Sequence, residues 1–331
     1  MSRTDLPRPL LDLIRSKQSF LLTGHEHPDG DCVGAQVALS SLLGDLGKDV
    51  VILNPDPLNP SFDFLERDTS FQAFSEGMEI PVVDVVVLLD CATLRRTARL
   101  GEKLRETGAI IAVIDHHVGS EDGDGEISYV DATAASTGTL IYRMFKELSV
   151  PVSRVAAQGI FLSLVSDTGW FRYSNTDVEV MSIAGELVNA GVEPSRMYDT
   201  LFRRNDPESL AWVSQALALA RYAIDGNYAY LGLGRAEVDH ASRIGVDTDI
   251  LLEMMRSVEG VEVVCLLKEL EADRVKISLR AKGDVDVEAI ARQFDGGGHK
   301  KAAGASLSVS MEESQHQVEE AVRSSLAERA N

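Results

Sequence analysis

Residues 82–90, VVDVVVLLD, and residues 109–117, AIIAVIDHH, decide how this chain folds. Each is a nearly unbroken apolar run that ends on an acid. A strand with one wet face alternates apolar and polar residues. A run without alternation belongs to a strand covered on both faces, as in a parallel sheet flanked by helices. Shorter strand patterns lie at 19–23 and 49–53. Helical spacing marks 33–46 (Val33, Val37, Leu42 and Leu46, with Gly47 as the stop), 95–107, 138–148, 152–165 and 179–190. Alternating strands and helices predict an α/β unit with a doubly wound, mainly parallel sheet. A polar, charged segment with two prolines, residues 191–209, predicts a partly helical connector. A smaller α/β unit is expected beyond it, with strands at 228–233, 261–268, 274–281 and 305–310. Its helices are expected at 247–257, 285–294 and 314–327. The division reads as 1–190, a connector over 191–215, and 216–331.

Composition agrees with two globular units. The chain has 331 residues, 44% hydrophobic and 25% charged, and about 150 residues per domain is the usual scale. Disordered, collagen-like and coiled-coil classes are excluded. No apolar run approaches the ~20 residues of a membrane helix, and the N-terminus lacks a signal-peptide core. Three cysteines, odd in number and far apart, imply no disulfide framework. A cytoplasmic protein that does not engage a membrane is expected. With 32 basic against 52 acidic residues the net charge is −20, which argues against a long basic groove for duplex nucleic acid. A small anion held locally remains compatible with that charge.

Acids and histidines gather where such a fold binds ligands. HEHPDGD (25–31) follows the first strand, Asp90 ends VVVLLD, Asp115, His116 and His117 end AVID, and Asp167 follows an apolar helix in SDTG. Open parallel sheets bind ligands beyond the carboxyl ends of their strands, at a topological switch point. Convergence of Asp29, Asp31, Asp90 and Asp167 without a partner opposes folding, since packed carboxylates disfavour each other's charge. Four carboxylates with two imidazoles suit two divalent cations sharing one Asp, with Mn2+ favoured and Mg2+, Co2+ or Zn2+ open. Pro28 and Gly30 are read as shaping a turn that aims Asp29 and Asp31 at neighbouring metals. Each residue has a plainer reading alone: Asp31 as a helix cap, Asp90 as a solvated strand end, the histidines as surface groups, Asp167 as a turn. The acidic loop GSEDGDGE (119–126) lacks the EF-hand ligand pattern.

Together HEHPDGD, LLD, DHH and SDTG resemble the signature motifs of the DHH phosphoesterase family. FDGGGHKKAAG (294–304) resembles the glycine-rich motif of that family's associated C-terminal domain. The likeness runs over nearly the whole chain and is strongest to the NrnA-like branch, nanoRNases that also dephosphorylate adenosine 3′,5′-bisphosphate. It implies His25 and Asp29 on one metal, Asp31, His116 and Asp167 on the other, and Asp90 between them. It further implies Asp115 as the residue that orients an imidazole, His117 at the scissile phosphate, and an active site in the cleft between the domains. Gly296, Gly297, Gly298 and His299 would hold substrate, with Arg280 as a phosphate anchor. The implied substrates are short single-stranded oligonucleotides and bisphosphate nucleotides; a homodimer is left open. His27 stands where Asn is common, and Ala281 where Ser often follows the Arg.

Read without the resemblance, GGGH offers backbone N–H groups to an anion, but matches neither a Walker A loop nor GxGxxG. Residues 275–301 carry six basic and four acidic side chains, a local net of +2 in a chain at −20. A flexible turn beside a solvated basic face is the plain alternative. At the level of function, a two-metal phosphoesterase leads. A stand-alone cyclic-dinucleotide or linear-dinucleotide phosphodiesterase, a pyrophosphatase, a RecJ-type exonuclease and an inactive nucleotide sensor are the competing readings.

Overall fold

The structure, a computed structural model, describes residues 6–203, 206–271 and 273–329. Residues 1–5 of the N-terminal reading, 204–205 of the expected connector and 330–331 of the second domain lie outside the described residues. The chain divides into two units after Arg203.

The first unit is built on strands β1 (Ser19–Thr23), β2 (Asp49–Asn54), β3 (Phe71–Ala73), β4 (Val85–Leu89), β5 (Ile110–Asp115) and β6 (Ile127–Val130). They form one sheet in the order β3-β2-β1-β4-β5-β6, and every pairing is parallel. The apolar runs alternate faces. Phe20, Leu22, Val85, Val87, Leu89, Ala112 and Ile114 point into one core layer. Leu21, Val86, Leu88, Ile111 and Val113 point into the other, against Leu100 and Leu104. Both layers are dry, hence the absence of polar alternation. Strand β4 starts three residues later than its apolar run, with Val82 98% exposed. The Asp84 carboxylate accepts the N–H groups of Gln18 and Ser19 and ties the entry of β1 to that of β4.

The helix expected at 33–46 runs over Gly30–Asp45. It starts earlier because Asp29, not Asp31, is the cap: its Oδ1 accepts from the N–H groups of Asp31 and Cys32. Gly30 is likewise corrected. It lies inside the helix, and a Cβ there would fall 1.9 Å from Ser166 Oγ, so close packing rather than a turn requires glycine. This helix crosses the helix Arg154–Asp167 through facing glycines. A Cβ on Gly34 would come within 2.4 Å of the Gly159 carbonyl oxygen. That approach sets Asp31, in the first turn of one helix, beside Asp167 at the end of the other. The helix Thr137–Glu147 completes the layer. The sequence patterns missed the helix Arg8–Ser16, the 3-10 segment Pro60–Arg67 and the short strands β3 and β6.

The expected connector contains the helix Pro194–Phe202 and the start of Pro207–Leu217. The second unit has strands β7 (Arg221–Ala223), β8 (Tyr228–Leu233), β9 (Val263–Glu271), β10 (Arg274–Ala281), β11 (Gly297–His299) and β12 (Ala302–Leu307). Their order is β11-β12-β10-β9-β8-β7, antiparallel except for β8 with β9. Two expectations need correction. The last strand lies at Ala302–Leu307 instead of 305–310, and Gly297–His299 of GGGH form an edge strand rather than a flexible turn. Its glycines permit close pairing with β12: a Cβ on Gly296 would lie 2.2 Å from the Gly304 carbonyl, and one on Gly298 (φ +140°) 2.5 Å from that of Ala302. A helix at Arg235–Arg243 was also missed. All three cysteines are buried and unbridged. Among the described residues no helix is long and apolar enough to cross a membrane.

Candidate metal centre

The strand order turns back between β1 and β4, since β2 and β3 extend one way and β5 and β6 the other. Loops diverging from such a point leave a crevice at the carboxyl ends. His25 follows β1, Asp90 follows β4 and His116 follows β5 into it. Asp90 adopts φ +60°, a backbone state that Asp tolerates better than most residues. Its N–H meanwhile still donates to the Ile114 carbonyl. His27, at φ +52°, also occupies the left-handed region, which Asn enters readily.

Two candidate ligand sets result. His25, Asp29 and Asp90 form one, and Asp31, His116 and Asp167 the other, each with one candidate ligand atom per residue within 4.8 Å of the rest. Nε2 of His25 lies 3.3 Å from Asp90 Oδ2 and 3.9 Å from Asp29 Oδ1. Nε2 of His116 lies 3.0 Å from Asp167, 3.3 Å from Asp31 and 3.6 Å from Asp90 Oδ1. Asp90 therefore reaches a histidine of both sets, one with each carboxylate oxygen. A third grouping, Asp90 with His116 and His117, overlaps them.

The histidines are turned as metal ligands are. Nδ1 of His25 meets the Glu26 carbonyl at 2.7 Å, and Nδ1 of His116 the Ala134 carbonyl at 3.2 Å. A backbone acceptor fixes the proton on Nδ1 and directs Nε2 at the carboxylates. Nε2 of His116 is buried without a partner in hydrogen-bonding alignment, with Asp167 Oδ2 3.0 Å away. A buried nitrogen among three carboxylates calls for a cation, and the residues fit one.

Electrostatics lead to the same place. Burial, with the charges of Asp167 and Asp29, pushes Asp31 up to about 7 despite opposition from His116. Burial, followed by Asp31, Asp29 and Asp167, raises Asp90 well above the carboxylate range. Burial would lower His116, but Asp167 and Asp31 outweigh it and hold the imidazole at about 9. Asp115 differs. Burial would raise it, yet hydrogen bonds from His117 and Ser120 hold it down at about 2. Its Oδ1 takes Nδ1 of His117 at 2.7 Å and also the N–H groups of His116 and His117. The imidazole that Asp115 orients is thus that of His117.

Several supporting residues escaped the sequence reading. Asp31 Oδ2 accepts the N–H of Thr137 at 2.8 Å, and its Oδ1 accepts the N–H of Gly138 and the Ser163 hydroxyl. The Thr137 hydroxyl donates to Asp90 Oδ1 at 3.1 Å. Ser120 of the acidic loop donates to Asp115 Oδ2. The one local signal was the run STGT at 136–139, a helix start with polar side chains beside the strand ends.

The substrate-binding candidates lie in the second unit. Antiparallel register sets Arg280 opposite Ala302, and Ala302 opposite His299, so Arg280 and His299 share one face of that sheet. Ser278, Gly304 and Gly297 make the next row. Arg280 is paired with Asp249, NH2 to Oδ2 at 2.7 Å. Lys276 stands opposite Lys268 on the same face. Burial of Lys268 and the charges of Lys276 and Arg280 lower its pKa despite Asp249 and Asp247.

Comparison with known proteins follows this division. Residues 19–163 match the family model described as DHH family, N-terminal domain, and residues 225–328 match the DHHA1 domain. The chain is 30% identical over 305 residues to the bifunctional oligoribonuclease and PAP phosphatase NrnA of Thermus thermophilus, covering 91% of this chain and 88% of that protein. It is 26% identical over 304 residues to the protein of the same name from Bacillus subtilis, covering 90% and 92%. A crystal structure of an exopolyphosphatase-related protein from Bacteroides fragilis superposes with a TM-score of 0.85 at 23% identity, over 96% of this chain and 95% of that one, which establishes a shared fold. Matched in both halves, and along nearly its full length by an NrnA relative, this chain belongs to the DHH family, in the branch that joins the DHH domain to a DHHA1 domain.

Proposed function

We propose that the chain is a phosphoric ester hydrolase that uses two divalent cations to cut short oligonucleotides to 5′-mononucleotides and to convert adenosine 3′,5′-bisphosphate to AMP. Relatives named oligoribonuclease and PAP phosphatase support the activity class. The observation that carries the reading is Asp90, with one carboxylate oxygen 3.3 Å from His25 Nε2 and the other 3.6 Å from His116 Nε2. Carboxylate and imidazole donors together suit Mn2+, with Mg2+, Co2+ or Zn2+ as alternatives.

His25 and Asp29 would hold one cation, Asp31, His116 and Asp167 the other, and Asp90 both. Bound there, the pair would supply an activated water as nucleophile and offset charge on the phosphoryl oxygens. Asp115 accepts from Nδ1 of His117 and fixes the ring that we assign to the phosphoryl oxygens. Arg280, Gly296 and the strand Gly297-Gly298-His299 are assigned to the rest of the nucleotide. Asp249, 43% exposed, can yield Arg280 to a phosphate and return to water without stranding a buried charge. Both substrate types hang the scissile phosphorus on a 3′-oxygen, and both yield a 5′-mononucleotide.

The test is a 5′-labelled oligonucleotide series, with adenosine 3′,5′-bisphosphate and a cyclic dinucleotide assayed in parallel under Mn2+. Two- to about five-residue substrates should outpace 20-mers, because extra phosphates gain few contacts and meet a net-negative surface. Processive digestion of the 20-mer would overturn the short-substrate assignment. Preference for the cyclic dinucleotide would replace it with the cyclic-dinucleotide reading.

A further inference from the structure

We infer that Arg143 is a positioning residue for the metal ligands, acting through the turn at residues 131–137; the inference rests on the two-cation reading above. Arg143 lies on the helix Thr137–Glu147 with its side chain 13% exposed. One arm of its guanidinium donates to Asp131 Oδ2 at 2.7 Å. Nε and the other arm hold Glu179 at 3.0 and 2.8 Å. This planar two-sided grip is a geometry that lysine does not reproduce.

Asp131 is the hub of the turn. Its Oδ1 accepts the N–H and the hydroxyl of Thr133, its carbonyl accepts the Ala134 N–H, and its own N–H donates to the Asp115 carbonyl. The turn then touches three proposed ligands. The Ala134 carbonyl takes Nδ1 of His116, the Thr137 N–H binds Asp31, and the Thr137 hydroxyl binds Asp90. Ser136, which caps the helix, sets its Oγ 2.9 Å from the Ser163 Oγ that serves Asp31. Arg143 thus clamps both the start of the turn, through Asp131, and the helix that the turn begins. The neighbouring helix Val178–Asn189, through Glu179, is its anchor.

Outer-shell partners of metal ligands cost about 10–100-fold in metal affinity when removed. Arg143 bonds Asp131 and Glu179, one step beyond such partners, so Arg143→Lys should weaken binding at the Asp31, His116 and Asp167 set by about 10-fold, the lower end of that range, and leave the His25 and Asp29 set much less affected. Equilibrium dialysis against buffered Mn2+ reads both sites on protein whose fold is checked by circular dichroism and thermal melting. At a free Mn2+ level that half-fills the Asp31, His116 and Asp167 set in wild type, the variant should fill that set to only about a tenth. Should Arg143→Lys fail to fold, Glu179→Gln loosens the same grip while retaining side-chain volume, and should shift the same site in the same direction by a smaller factor. Two ions bound at unchanged affinity in a folded variant would overturn the inference, as would equal weakening of both sites, the mark of a merely structural role. Wild-type protein that binds no Mn2+ would overturn the metal reading and this inference with it.

Discussion

Replacing Asp90 by Asn tests the centre most sharply. The side chain is 3% exposed and meets His25, His116 and the Thr137 hydroxyl. Its backbone sits at φ +60°, where Asn is as acceptable as Asp, and an amide oxygen can still accept from Thr137. Asp90→Asn should therefore fold. What it removes is one negative charge between two ligand sets. Unit charges 4 Å apart at an effective dielectric of about 20 interact by ~4 kcal/mol, which corresponds to roughly 10³ in rate or affinity. The expected outcome is a kcat at least 10³-fold lower and fewer than two Mn2+ per chain by metal analysis. The metal-free protein supplies a second readout of opposite sign. Burial and the neighbouring acids raise Asp90 far above its ordinary value, so removing the charge should raise the melting temperature of the metal-free variant above that of metal-free wild type at pH 8. A variant that keeps two metals and more than about a tenth of wild-type kcat, a loss of only ~1.4 kcal/mol, would refute the assignment of Asp90 to both cations.

The two neighbouring histidines should part company under the same assays. His117→Ala is expected to keep its metal and lose about 10²–10³ in kcat, the effect of one transition-state donor, whereas His116→Ala should lose metal; the reverse pattern would exchange their roles. Arg280→Ala should lower kcat/KM strongly on 5′-phosphorylated dinucleotides and little on bis-p-nitrophenyl phosphate, and equal losses on both would assign Arg280 to the fold. The metal-free protein should also lose stability as pH rises. Asp31, raised to about 7, and His116, raised to about 9, both bind protons more tightly folded than unfolded. Their contribution is complete at low pH and disappears as pH passes those values. Melts at pH 6 and pH 9 should show this decline, and saturating Mn2+ should flatten it. A metal-free melting temperature that climbs between those pH values would contradict the crowded-carboxylate description.

Much of the architecture was legible because it is encoded over a few adjacent residues. The runs 82–90 and 109–117 are apolar without alternation because both faces of β4 and β5 are buried, a condition each strand records in its own side chains. The acids that close those runs mark the carboxyl ends, so Asp90, Asp115 and His116 could be placed before any strand order was known. Their grouping with His25, Asp29, Asp31 and Asp167 depended on the fold, as did the division of labour inside HEHPDGD. Either Asp29 or Asp31 can cap a helix, and only the folded backbone, with the Asp31 and Cys32 N–H groups turned onto Asp29 Oδ1, shows where the helix starts. Ser163 was invisible for the same reason, and for Thr137 the run STGT marked only a polar helix start. The Thr137 N–H and the Ser163 hydroxyl bond Asp31 across 106 and 132 residues of chain, and neither group carries a local mark of the carboxylate it will meet. GGGH misled in the opposite direction. Three glycines in a row suggest a loop, because glycine is permissive and weakens strands. Here the lack of side chains is what lets β11 lie against Gly304 and Ala302, and no local pattern announces a neighbour that arrives only when the sheet is assembled.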